Sequence, residues 1–286
     1  LCATAALVVY SWAGRKLTPG GLGAGVLVAG VHLLHPWPAF FWLLAAFFVL
    51  GTAVTKIGRA RKAHLTQSPT GGPGGDTARS ATQVFANSAL PCLLLPVHAY
   101  LLHHPHPNPL RPLLPLAIIA HYAAAAADTS SSELGILSPT PPVLITAPTV
   151  RVPPGTNGAV TPAGLAAALA AAALLVALAD RTLRLTAPHA ALSPAAAALL
   201  IAAGLLGSLV DSVVGALAQV TVTDARTGRV VEGQRGGRVR GAATAGKWEV
   251  RGRDVLTNNG VNLVMAGFAS GVAMGVGHVW GLGIDG

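Results

Sequence analysis

The chain has 286 residues; 52% are hydrophobic, 10% are charged, and the formal net charge is +9. Soluble domains carry about 25% charged residues, so this composition excludes an ordinary water-soluble enzyme. The positive charge does not imply nucleic acid either. Fifteen of the nineteen Lys and Arg fall in residues 15–16, 56–79 and 226–253, which are alternate connections between apolar runs. That is the one-sided bias of a membrane protein, and it makes the basic side cytosolic.

In chain order, charge-free runs cover Leu17–Thr55, Ser80–Leu110, Pro112–Ala127, Val152–Ala179, Leu185–Val210 and Val255–Ile284. A spanning helix needs about 20 mostly apolar residues. Leu1–Trp12 reads as the end of one span. Complete spans are expected near 20–34, 38–55, 82–102, 111–128, 158–180, 194–219 and 257–280. The first two are separated at His35-Pro-Trp-Pro38, where proline stops a helix and Trp suits the interface. The expected fold is an all-α polytopic transmembrane helical bundle of about seven complete spans plus a partial N-terminal one, forming a single integral membrane domain over 1–286.

Two excursions face the cytosol. Residues 57–79 include Ser68-Pro-Thr-Gly-Gly-Pro-Gly-Gly75 and read as a flexible loop. Residues 221–256 form a basic loop, either a small β-hairpin or a disordered segment near anionic headgroups, expected to tune attraction rather than perform chemistry. Cys2 and Cys92 are too few and too far apart for a disulfide framework. His103-His-Pro-His106 lies in a short loop on the other side, with no acid nearby, and is not expected to bind metal.

Polar groups gather at the cytosolic ends of the expected spans. Lys56 ends one span; Arg79, Gln83 and Asn87 open the next at i, i+4, i+8, which would align them on one helix face. Asp128 closes another, with Glu133 about a turn beyond. Gly155-Thr156-Asn157-Gly158 precedes a helix, where backbone N–H groups suit phosphate oxygens. Asp211 lies inside an apolar helix without a sequence-local cation, and Gln219, Asn258, Asn259 and Asn262 lie near the same boundary. A carboxylate in such a place is costly, so its default reading is functional. Several carboxylates can hold Mg²⁺, which completes its shell with water and phosphate. A Lys and an Arg can neutralise charge on a transferred phosphoryl group.

With these residues in place, the pattern resembles the transmembrane protein 19 family, also known as domain of unknown function 92. The resemblance covers nearly the whole chain. It rests on Arg15-Lys-Leu-Thr18, Gly51-Thr-Ala-Val-Thr-Lys56, Arg79-Ser-Ala-Thr-Gln-Val-Phe-Ala-Asn87, Ala127-Asp-Thr-Ser-Ser-Ser-Glu-Leu-Gly135, Pro154-Gly-Thr-Asn-Gly158 and Gly207–Gln219. The family usually shows an aromatic residue and Ala where this chain has Ser130 and Ser131; the flanking acids are kept. Plant members make phytyl diphosphate from phytyl phosphate with a nucleoside triphosphate. Dolichol kinase and CDP-diacylglycerol synthase look related.

The resemblance implies a lipid-phosphate kinase that uses CTP and an isoprenoid monophosphate, with the endoplasmic reticulum as the expected membrane. On this reading Asp128, Glu133 and Asp211 hold Mg²⁺, while Lys56 and Arg79 contact donor phosphates. Gly155, Thr156, Asn157 and Gly158 supply backbone donors; Gln83, Asn87 and Asn262 orient phosphate or nucleotide. The acceptor phosphate is already ionised, so no strong general base is required. The rivals are an ion- or proton-coupled transporter, in which Asp211 would serve a relay, and a non-catalytic membrane regulator. A transporter site belongs near the midplane, whereas these groups cluster at one face.

Overall fold

The computed structural model describes residues 9–69, 78–104, 106–233, 237–239 and 248–284. Each of the seven expected spans is helical. Helix α1 (Pro19–Leu33) starts at Thr18, whose hydroxyl accepts from Gly21 N at 3.0 Å. Helix α2 (Ala39–Lys56) follows the proline-rich turn. Gly58, at φ 62°, then turns the chain into a short helix, α3 (Arg59–Lys62). A side chain there would be strained and would also press on Leu137, 2.6 Å from the added carbon.

The third expected span is split. Helix α4 (Ala81–Ala86) ends at Asn87, and α5 (Ala89–His103) continues beyond Ser88. The fourth runs past its expected end: α6 covers Leu114–Gly135. Helices α7 (Pro162–Thr186), α8 (Pro194–Ala218) and α9 (Asn258–Val279) complete the bundle. Thr161, Ser193 and Thr257 cap their first turns. Among the described residues four helices (α2, α7, α8 and α9) are long and apolar enough to cross a membrane, and α1 and α5 are shorter apolar helices.

Helix α6 is the axis of the bundle. Leu116 through Ala124 are fully buried, as its all-round apolar sequence demands. Its alanines let neighbours approach closely. A carbon added to Gly207 would lie 2.6 Å from Ala124 Cβ, and one on Gly204 would lie 2.9 Å from Ala172 Cβ and 3.1 Å from Ala123 Cβ. Lipid offers no hydrophobic drive between helices, so such small-residue contacts carry the association.

Two small sheets sit at the end of the bundle that carries the basic loops, so the all-α expectation holds for the bundle but not for its connections. One sheet has the order β1-β6-β5-β7, built from β1 (Thr66–Gln67), β5 (Thr221–Asp224), β6 (Val230–Val231) and β7 (Trp248–Arg251). Strand β1 pairs parallel to β6, Thr66 opposite Val230, which joins the two basic loops. The other sheet has the order β3-β2-β4, from β2 (Val143–Leu144), β3 (Ala147–Arg151) and β4 (Ala159–Val160). Most of the Gly/Pro-rich stretch, residues 70–75, lies outside the described residues, as does the centre of the basic loop.

Candidate functional site

A cavity of about 1020 Å³ opens at the basic end. It is walled by α1, α2, the α6 C-terminal half, α8, the start of α9 and strand β6. Asp128, Glu133, Asp211, Arg79, Gln83, Asn87, Gly155, Thr156, Asn157, Gly158 and Asn262 all line it. Lys56 does not. Its ammonium stands 5.9 Å from the Tyr10 ring centroid, on the outer side of α2.

Asp128 and Glu133 occupy one continuous helix rather than a helix end and a following turn. Five residues rotate side chains by about 140° around an α-helix, so the acids face different partners. Asp128 stands within the electrostatic reach of Asp211 on α8. One Asp211 carboxylate oxygen, Oδ2, is buried without a hydrogen-bond partner among the described residues. Glu133 is instead ion-paired with Lys62 and accepts from Thr55 Oγ1 at 3.3 Å. The Lys62 ammonium also donates to Thr55 O at 2.7 Å and Val54 O at 3.3 Å, capping α2 from outside.

A three-carboxylate metal site is therefore not formed, and no group of three His, Cys, Asp or Glu among the described residues could hold an ion. The Asp128–Asp211 pair is where carboxylates could hold Mg²⁺. This ion commonly takes one or two carboxylates and fills its shell with water and phosphate, and Asp211 Oδ2 is a buried acceptor with no donor among the described residues.

Arg79 is not on a helix. Its backbone bridges to the α1 entry, with Thr18 N donating to Arg79 O and Arg79 N to Lys16 O, both at 3.0 Å. The guanidinium packs 5.8 Å from the Phe48 ring centroid and against Gly51, where an added carbon would lie 3.1 Å from it. The same carbon would lie 3.7 Å from Thr129 Cγ2, so Arg79 reaches the turn that carries Asp128.

The expected Arg79/Gln83/Asn87 helix face does not exist, because the capping chemistry of Ser80 starts α4 only at Ala81. Gln83 closes a capping box: its Oε1 accepts from Ser80 N at 2.9 Å, and its own N–H donates to Ser80 Oγ at 3.4 Å. Asn87 caps the other end of α4, donating to Gln83 O at 2.9 Å. Its Oδ1 accepts from Asn262 Nδ2 at 3.4 Å, joining α9 to the α4–α5 break. The buried His121 ring holds Asn87 O at 2.9 Å. These side chains shape the wall, and much of their hydrogen-bonding capacity is engaged in doing so.

The Gly155–Gly158 turn also differs from expectation. It leads into β4 rather than into a helix, and Thr161 caps α7. Thr156 N donates to Pro153 O at 3.2 Å and Asn157 N to Thr221 Oγ1 at 3.0 Å. Asn157 Nδ2 donates to Val220 O at 2.9 Å. Gly158, at φ 78°, lies against Ser212 and Ala216 so closely that an added carbon would sit 2.4 Å from Ala216 Cβ. The turn clamps α8 to the sheet and leaves few backbone donors for a ligand.

Residues 2–270 match the integral membrane protein family DUF92. The chain belongs to that family. It is 35% identical to Protein PGR of Arabidopsis thaliana over 89% of the chain and 86% of that protein. An uncharacterized membrane protein of Methanocaldococcus jannaschii is 32% identical over 61% of the chain and 63% of its own length. Another, from Synechocystis, is 34% identical over 56% and 60%. No solved structure matches the chain significantly. As a family member the chain is a multi-pass membrane protein.

Sequence reasoning missed the wall residues that this DUF92 chain draws from its connections. Lys62 was grouped with the flexible loop, although Gly58 followed by Arg59-Ala-Arg-Lys62 is the signature of a helix stop and restart. Val230, Val231, Glu232 and Arg238 also line the cavity, so the basic loop forms part of its roof rather than a detached tether. Arg238 is ion-paired with Asp254 at 2.8 Å. Next to the roof, the Asp224 carboxylate accepts from Gln67 Nε2 at 2.9 Å and from the backbone N–H of Arg226 and Thr227 at 2.8 and 3.2 Å. The Gln67 contact, then the backbone donors, hold this carboxyl below the usual carboxylate range.

Proposed function

We propose that this protein is a membrane phosphotransferase that moves a phosphoryl group from a nucleoside triphosphate, CTP by preference, to an isoprenoid monophosphate at the cytosolic face. The observation that carries the reading is the Asp128–Asp211 pair in the lining of a cavity whose wall also holds Arg79 and Lys62. Acids and cations lining one cavity at a membrane boundary suit a phosphate-rich ligand and a divalent cation. Phosphoryl transfer demands mainly positioning and electrostatic stabilisation, and this wall offers both.

Asp128 and Asp211 would hold Mg²⁺, which when bound offsets negative charge on the donor phosphates. Arg79, set in place by the α1 entry and Gly51, would contact phosphate oxygens in plane. Lys62, oriented by Glu133 and the α2 carbonyls, would hold the opposite side, the role first expected of Lys56. Helices α4 and α9, joined through Asn87 and Asn262, would fix the distance between the two walls. An ionised acceptor phosphate needs no proton removed, so a buried general base has no part in the step.

One observation favours a second reading, proton-coupled transport. Buried His121, His32, His35 and His98 run through the bundle toward the opposite end. The hydrogen-bonded path breaks at His32, whose ring nitrogens meet Val28 O and the Tyr122 hydroxyl, leaving no link to His35. The discriminating experiment is transfer by purified, reconstituted protein from radiolabelled CTP or ATP to a panel of isoprenoid monophosphates, with and without Mg²⁺. Product diphosphate formed only with Mg²⁺ supports the kinase. Proton flux across sealed vesicles, with no transfer over the whole panel, would replace it with the transporter.

A further inference from the structure

The cavity has a second limb that phosphate chemistry does not use. Beyond the charged end it runs between α1 and α2, walled by Gly25, Val28, Ala29, Leu44, Ala45 and Phe47. From Thr55 to Leu44 along α2 the lining extends eleven residues, or about 16 Å at 1.5 Å per residue. That is roughly half the thickness of a bilayer's hydrocarbon core. Val28 is 1% exposed and Phe47 8%, so the inner wall is closed. Val26 lines the same cavity yet is 47% exposed on the outer surface of α1, which marks a mouth facing the lipid.

Phe47 forms part of the inner wall, packed 5.7 Å from the Tyr122 ring, and the Tyr122 hydroxyl is sealed behind it against His32 at 2.7 Å. A limb with no exposed polar atom from this pair suits hydrocarbon and penalises a polar ligand. The smallest lining residues are Gly25 and Ala29, one turn apart on α1, and Ala45 on α2. At Gly25 an added carbon would meet only Leu17 Cδ1, at 3.5 Å. The space beside Gly25 is therefore room within the limb and not a contact between helices.

We infer that this limb binds the single hydrocarbon chain of an amphiphilic monophosphate, admitted sideways from the bilayer past Val26, and that Gly25, Ala29 and Ala45 set the chain length and branching it accepts. The inference rests on the polar end being the phosphate site. The hydrocarbon runs down the α1–α2 slot past Phe47 toward Leu44, and the headgroup stops at Arg79 and the two aspartates. A nucleotide then has only the sheet-roofed end left to enter by.

The test uses the full chain in nanodiscs with hexadecyl monophosphate carrying a photoreactive diazirine at its terminal carbon. Labelled peptides are mapped by mass spectrometry, with Gly25→Trp and Ala29→Phe as blocking variants and Leu33→Phe, exposed on α1 and outside the cavity lining, as the control. The expected label falls on residues of the α1 and α2 inner faces, such as Ala29 and Leu44. It drops in each folded blocking variant to the level found on the outward Leu27 and Val49, and persists in Leu33→Phe. Transfer to the hexadecyl acceptor falls with it, and more steeply than transfer to butyl monophosphate. Labelling in the limb without transfer to any acceptor keeps the limb and removes the kinase reading. Transfer that ignores chain length, or label spread over outer faces and unaffected by both blocking variants, overturns the limb and leaves the kinase reading in place.

Discussion

Asp211 holds a carboxylate oxygen in the protein interior with no described donor, and Asp128 stands within reach of its charge. A pair of that kind opposes folding unless a cation or proton joins it. Neutral Asn at either position should therefore leave the fold intact or strengthen it. Lys62 and Glu133 make the opposite prediction, because their contacts are satisfied. Lys62→Met and Glu133→Gln, measured singly and together by thermal unfolding, should show a coupling of about 0.5–3 kcal/mol, with Lys62→Met also lowering transfer. Lys56→Met should leave both unchanged within experimental scatter, since Lys56 faces Tyr10 outside the cavity. Equal losses at Lys56 and Lys62 would contradict the assignment. The residue types at the site were readable in the sequence, because acids and amides inside apolar segments are rare enough to notice. Their pairing was not. Placing Glu133 in the same helix as Asp128 requires knowing that α6 continues through Thr129-Ser-Ser-Ser132, a polar run that hydropathy alone reads as an exit from the membrane.

At the scale of elements, helix positions followed hydropathy, whereas connections followed chemistry that hydropathy does not register. The split between α4 and α5 arises from Asn87 capping within a run that stays free of charge. The sheet uniting both basic loops depends on a parallel pairing between Thr66–Gln67 and Val230–Val231, separated by well over a hundred residues of sequence, and no local pattern announces it. That pairing changes what deletion should do. Removing residues 226–246 takes out β6 and part of the cavity roof, so transfer should fall well beyond the roughly tenfold that loss of long-range attraction explains. A folded deletion that keeps near-normal turnover would contradict the roof. The same sheet should respond to acid. The Asp224 carboxyl is depressed in the folded state, so its contribution is present above the unfolded value near 3.9 and is lost as pH falls through the folded one. Hydrogen exchange at the Arg226 and Thr227 amides, corrected for intrinsic rates, should accelerate in that acid window in wild type. In Asp224→Asn it should be flat there.

For the whole molecule, the bundle is organised around a buried helix that no partner approaches without small residues. Gly207→Leu should disrupt the α6–α8 contact and destabilise by several kcal/mol through overpacking against Ala124, seen as reduced yield of monodisperse protein. The architecture sets one end apart: charged and amide groups from α3, α4, α6, α8 and α9 meet beneath a sheet there, while the opposite end buries His35 and His98 among Trp37 and Phe40. The central claim is that Asp128 and Asp211 serve phosphoryl transfer rather than packing. Its most direct test is Mg²⁺-dependent transfer from CTP to an isoprenoid monophosphate by Asp128→Asn and Asp211→Asn, read alongside the melting temperature of each protein. The account predicts turnover lower by roughly two to four powers of ten, the scale of losing a key electrostatic group, at an unchanged or raised melting temperature. Near-normal Mg²⁺-dependent turnover in both variants, or losses that merely track a lowered melting temperature, would contradict it.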